Sequence, residues 1–147
     1  MKSDISTGQG GSSALQFTRL LAPTPRGAHE ARLLTVRTLG AWGWPSASPV
    51  SESAALVVSE LAANAARHGR VRGRKFRLAL TAGGEGTLRI EVSDARGERL
   101  PQPGRADSGG IAESGRGLLL VEALSAAWGT TPYPPSGKTV WACLPLT

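Results

Sequence analysis

The sequence predicts an α/β fold of the two-layer (α+β) sandwich type, with a mixed, mainly antiparallel sheet covered on one face by three main helices. Two observations carry this. Apolar and polar residues alternate through 14–21, 75–81, 87–94 and the stretch TVWACLPL, as in strands with one packed and one more exposed face. Residues 28–39, 51–69 and the run from 115 space their apolar residues as helices do. The resulting order is strand, helix, helix, strand, strand, helix, strand, strand, which suits helices layered on a sheet whose neighbours pair through short turns.

Residues 1–13, MKSDISTGQGGSS, have no hydrophobic run before their small residues. They read as a flexible lead-in to a single folded unit over 14–147, and not as a secretory signal. Ala14–Leu21 forms the first strand, and Pro25 suits the first turn of a helix. Leu33, Leu34, Val36 and Leu39 define a helix over Ala28–Leu39 that ends near Gly40. WGWPSASP is a loop. Ser51, with Glu52 behind it and an apolar run ahead, predicts the cap of a second helix that stops at Gly69. Lys75–Thr81 is a strand with Phe76, Leu78 and Leu80 on one face, the glycines of AGGEG make a hairpin turn, and Thr87–Ser93 is its partner, ending at Asp94. The polar stretch 95–114, rich in glycine and proline, reads as a functional lid. GRGLLLVEALSAAWG then starts a third helix, PYPPSGK turns, and TVWACLPL is a strong final strand.

Of 147 residues, 40% are hydrophobic and 19% charged, which fits a globular domain with a real core and excludes a disordered chain. No apolar stretch has the length of a membrane span. The single cysteine, Cys143, rules out an internal disulfide and suits a reducing cytoplasm. The net charge of +6 is concentrated at Arg67, Arg70, Arg72, Arg74, Lys75 and Arg77. Only Phe76 there could stack on a base and no nucleic-acid motif accompanies it, so the patch reads as a solvated loop and exposed strand face.

The most informative segment is VVSELAANAARHG, residues 57–69. Glu60, Asn64 and His68 recur at spacings of four in an alanine-rich, apolar stretch, which lines them up on one helix face. A carboxylate and a carboxamide one turn apart are costly to bury without partners, and a metal, a water or a polar ligand would supply them. An amphipathic helix with a polar edge fits the same residues. Three further features follow in order: Asp94 at a strand end before a glycine-rich segment, Gly115-Arg116-Gly117 opening a helix, and Gly137-Lys138-Thr139 leading into the last strand. A glycine-rich helix start is compatible with phosphate binding and equally with a tight turn.

In this order the four features resemble the nucleotide-binding domain of the GHKL ATPases, whose members include DNA gyrase, heat-shock chaperones and histidine kinases. In particular they resemble the small stand-alone bacterial serine kinases that act as anti-sigma factors. SELAANAARHG looks like the family's N box, SDARG its first glycine box, GRGLLLV its second and GKTVWA its final Gly/Thr box. The resemblance covers residues 15–147 and implies a Bergerat-type fold with ATP and Mg²⁺ as cofactors. It implies that Asn64 holds the magnesium and Glu60 is the general base. Asp94, with Gly97 behind it and Thr139 nearby, would meet adenine. Gly115, Arg116, Gly117 and Leu118 would wrap the phosphates, with Arg67, His68 and Lys138 close to the nucleotide. It further implies a cytoplasmic anti-sigma factor with protein serine kinase activity toward an anti-anti-sigma (STAS-type) protein, often as a homodimer, with neither nucleic acid nor membrane as direct partner. The alternative is a module that binds nucleotide and sequesters a sigma factor without transferring phosphate. One departure is clear: the family's Asp-x-Gly-x-Gly is here Asp94-Ala95-Arg96-Gly97-Glu98.

Overall fold

A computed structural model describes residues 4–7, 13–83, 85–97 and 112–146. In chain order the elements are β1 (Asp4–Thr7), β2 (Ser13–Leu21), α1 (Pro25–Ala41), α2 (Pro49–His68), β3 (Phe76–Ala82), β4 (Thr87–Asp94), α3 (Ala112–Leu124), β5 (Ala127–Tyr133) and β6 (Gly137–Pro145). The strands form one six-stranded sheet in the order β1-β2-β3-β4-β6-β5. The sandwich and its antiparallel character are as the sequence predicts. Every pairing among the described residues is antiparallel, so the parallel contact of a mixed sheet is not seen there. α3 carries the chain from β4 to the β5–β6 hairpin, whose second strand docks on β4 and whose first becomes the edge.

Three local expectations are corrected. Part of the stretch read as a flexible lead-in is β1, paired with β2 from Asp4↔Gln16 to Thr7↔Ser13. Only Ile5 is apolar there, so the strand rests on backbone pairing at the sheet edge and leaves little pattern in the sequence. The cap of α2 is Ser48 and not Ser51: Pro49 occupies the first turn, and Ser48 Oγ accepts from Ser51 N at 3.4 Å while donating to Pro45 O at 2.6 Å. Ser51 lies inside the helix, fully buried, and its hydroxyl has no partner among the described residues. α3 begins before Gly115 and ends before Ala127, where the sequence places more helix. The ensuing residues join the sheet because Gly129 sits opposite Trp141, where a side chain would collide with the indole, and Trp128 packs on the core.

The core lies between the helices and the inner rows of the sheet. Leu78 and Leu80 of β3, Leu88, Ile90 and Val92 of β4, and Val140, Ala142 and Leu144 of β6 face Leu34 and Leu39 of α1, Val57, Val58 and Leu61 of α2, and Leu118 and Val121 of α3. Thr24 caps α1, its Oγ accepting from Gly27 N at 3.0 Å ahead of Pro25. The outer face is polar. Glu91 takes Arg77 at 3.5 Å and Arg89 at 2.9 Å, and the Arg89 guanidinium lies 4.6 Å from the centre of the Trp141 ring. Arg67, Arg70, Arg72, Arg74 and Lys75 are exposed, matching the solvated reading of the basic cluster. Among the described residues no helix is long and apolar enough to cross a membrane.

Ile90 is fully buried and Leu20, on the outer face, is 56% exposed. Ile90→Ala is expected to lower the unfolding free energy by about 2–5 kcal/mol in urea titration. Leu20→Ala should change it by less than about 0.5 kcal/mol. Similar losses for the two would contradict the orientation of the sheet.

Candidate functional site

The inner rows of the sheet do not stay apolar to their ends. Asp94 continues the row of Leu88, Ile90 and Val92, and Lys138 opens the row of Val140, Ala142 and Leu144. The register pairs Asp94 directly with Lys138. Both are buried, 5% and 6% exposed. Lys138 Nζ donates to Asp94 Oδ1 at 3.0 Å and to the Arg96 carbonyl at 2.8 Å, and it stands 2.9 Å from Asp94 Oδ2. The Arg96 backbone N–H donates to Asp94 Oδ1 at 2.8 Å, the local turn that aspartate makes two residues ahead of itself. An ion pair this dry persists only when its remaining hydrogen-bonding capacity is met, and here backbone groups meet much of it.

Glycines admit this carboxylate. Gly69 ends α2 with φ −98°, so it is not glycine for a left-handed turn. A methyl group there would overlap the Asp94 carboxylate. At Gly137 it would run into the Asp94 carbonyl, and at Gly97 into the carbonyls of Ser136 and Gly137. Gly97 N–H donates to Ser136 O at 2.9 Å, stapling the chain that leaves β4 to the β5–β6 turn. Gly97 thus has a contact of its own.

α2 brings the polar row to this end of the sheet. Four residues advance a helix by a turn plus about 40°, so the row Glu60, Asn64, His68 is inclined to the axis. Glu60 and Asn64 are half-buried beside the core residues Val57 and Leu61. Among the described residues neither side chain makes a hydrogen bond or ion pair. Arg67 is exposed and His68 half-buried, and both are engaged by other groups. The helix ends at Gly69, against Asp94.

Other predicted site residues lie elsewhere. Thr139 projects from the opposite face of the sheet to Asp94, because successive strand residues alternate. Its hydroxyl meets that of Ser93 at 2.6 Å, both buried. Gly115, Arg116 and Gly117 run within the early turns of α3 and do not open it. Leu118 is in the hydrophobic core. Of the lid read over 95–114, residues 98–111 lie outside the described residues. Sequence reasoning missed the role of Gly69 and the pairing of Lys138 with Asp94. The available signal was phase: opposite charges stand in the apolar rows of two strands.

A family model described as a histidine kinase-like ATPase domain matches residues 21–144. No curated protein matches the chain in sequence. Among solved structures, the chain is similar to the crystal structure of the RsbU and RsbW domains of Rv1364c from Mycobacterium tuberculosis. The TM-score is 0.66 at 20% identity, over 88% of this chain and 32% of that one. The chain therefore corresponds to about a third of that structure, and at this identity the likeness is one of fold.

Gly69→Ala is expected to destabilise the domain by about 1–3 kcal/mol, as overpacking does. Gly40, in α1 with open space around it, should gain about 0.5–1 kcal/mol as alanine. Thermal melts of the two variants against wild type check both signs.

Proposed function

The chain belongs to the histidine kinase-like ATPase domain family, and on that footing we propose that it is a cytoplasmic, Mg·ATP-dependent anti-sigma factor with protein serine kinase activity toward an anti-anti-sigma protein of the STAS type. The observation that carries this reading is the pair Glu60 and Asn64. It is a carboxylate and a carboxamide one turn apart on a helix that leads to a buried acceptor, Asp94, with no hydrogen-bond or ion-pair partner of their own among the described residues.

The residues present fit magnesium and a nucleotide. Asn64 offers a hard carboxamide oxygen, the donor type magnesium takes, and one such ligand is enough where phosphate oxygens and waters complete the shell. Asp94 offers an acceptor suited to an exocyclic amine. Bound Mg·ATP would supply the transferable phosphoryl group and a counter-charge for it. Glu60 would accept the proton of the substrate serine hydroxyl as that oxygen becomes the nucleophile. His68, Arg67 and the start of α3 would flank the phosphates. Phosphoryl transfer depends mainly on positioning and charge neutralisation, so a short set of groups suffices.

The likeness to the solved RsbU and RsbW domains supports the reading at the level of fold. A homodimer is the assembly we expect. A second reading, a module that binds nucleotide and sequesters a sigma factor without transfer, is favoured by one observation: Arg96 stands where the family has a glycine.

Transfer from labelled ATP to an anti-anti-sigma protein of the same genome tests the proposal. Glu60→Gln should leave nucleotide affinity within a few fold and lower transfer by about 10²-fold or more. Equal transfer by wild type and variant would remove Glu60 from the chemistry, and ATP binding with no transfer would favour sequestration. Asn64→Ala should abolish the magnesium-dependent part of ATP binding, read by titration with and without Mg²⁺, while the melting curve stays that of a folded domain.

A further inference from the structure

The turn between α2 and β3 presents charge that nothing among the described residues neutralises. Arg70, Arg72, Arg74 and Lys75 are all exposed. Among the described residues none of their side chains makes an ion pair or a hydrogen bond. The sequence has no acidic residue between Glu60 and Glu85. The acids of the nearby strand β4 are committed elsewhere: Glu91 to Arg77 and Arg89, Asp94 to Lys138. The segment is also built. Arg74 N–H donates to Val71 O at 2.9 Å, and Gly73 takes φ +76°, the conformation that the third residue of a type II turn needs. A side chain at Gly73 would meet open space, so its φ is the reason for glycine. The arginines thus stand on a fixed turn that crowds like charges, an arrangement that costs stability until an anionic partner meets it.

We propose that this turn is the docking surface for the protein that accepts the phosphoryl group, and that the face it receives is acidic. The inference rests on the kinase reading above. The end of α2 lies about 12 Å along the helix axis from Glu60. A protein–protein contact of ordinary size covers about 800 Å² on each partner, a patch roughly 30 Å across. One docked protein therefore reaches the turn and still brings a serine to Glu60. Arginine pairs a carboxylate through two parallel N–H bonds, which fixes orientation as well as holding the partner. Exposed cations act mainly on encounter: their attraction raises the association rate and weakens with salt. A nucleic acid suits the surface less well. Phe76, the one aromatic residue of this stretch, is buried and leaves no ring on which a base could stack.

Phosphoryl transfer to an anti-anti-sigma protein of the same genome is measured with the wild-type chain and two triple variants. One carries Arg70→Gln, Arg72→Gln and Arg74→Gln together, and the other carries lysine at the same three positions. The glutamine variant should raise KM for the protein substrate by about tenfold or more, with kcat and ATP affinity within about twofold of wild type. Raising NaCl from about 50 to about 500 mM should lower wild-type kcat/KM by about tenfold or more, and that of the glutamine variant by less than about threefold. The lysine variant should keep most of the wild-type KM and salt dependence, because it keeps the charge. Unchanged KM and salt dependence in the glutamine variant, with wild type transferring, overturn this inference and leave the kinase reading intact. ATP affinity that weakens as much as KM rises assigns the arginines to the nucleotide and overturns it as well. So does a mixed-sequence DNA duplex that displaces the protein substrate at equal concentration, which assigns the surface to nucleic acid. A wild type that transfers to no candidate overturns the kinase reading and this inference with it.

Discussion

A carboxylate and an ammonium closing the inner face of the sheet impose the main constraint on this molecule. Asp94 and Lys138 stand where the alternation of β4 and β6 calls for apolar side chains, and each is about as buried as the core beside it. Charges at such depth must be neutralised and hydrogen-bonded together, because neither half is tolerable alone. Much of the surrounding backbone follows from that need. The chain turns at Arg96 so that its N–H and carbonyl both reach the pair. Residues 69 and 137 carry no side chain, because one would occupy the space of Asp94. The β5–β6 turn is held against the start of the segment behind β4 by Gly97.

α2 serves the core and the site with different sides of one helix. Val57, Val58, Leu61, Ala62 and Ala65 are almost fully buried, so the helix is fixed in rotation about its axis. With rotation fixed, the side chains of Glu60 and Asn64 have little choice of direction, and a precise polar row follows from apolar packing. Small residues let the helix lie close to its neighbours: Ala54 and Ala62 have no exposed surface at all. Larger side chains there would lift α2 from the sheet and carry the polar row away from Asp94.

The alternating strands, the AGGEG hairpin and the spacing of Glu60 and Asn64 were legible because each is a local pattern with a local cause. What the sequence hid depends on residues far apart. Gly69 reads as a helix stop, yet its φ is ordinary and its true constraint is a carboxylate on β4. Lys138 reads as one more basic residue until the register sets it opposite Asp94. The glycines at 115 and 117 argue against helix by propensity, yet the helix runs through them, with Leu118 and Val121 anchored in the core just beyond. The cap expected at Ser51 is Ser48, one turn earlier, with Pro49 in the first turn. β1 carries almost no pattern, since an edge strand can be held by main-chain bonds alone.

The bond from Lys138 to Asp94 joins residues 44 positions apart. It forms only when β6 has found β4, so it belongs to the slow, non-local part of the folding reaction. Until then the chain holds an aspartate with no counter-ion beside the end of α2. The pair is therefore assembled by completion of the sheet, and a partly folded chain lacking β6 has Glu60 and Asn64 on α2 without the Asp94–Lys138 pair beside them. The buried pair and the finished sheet arrive in one event.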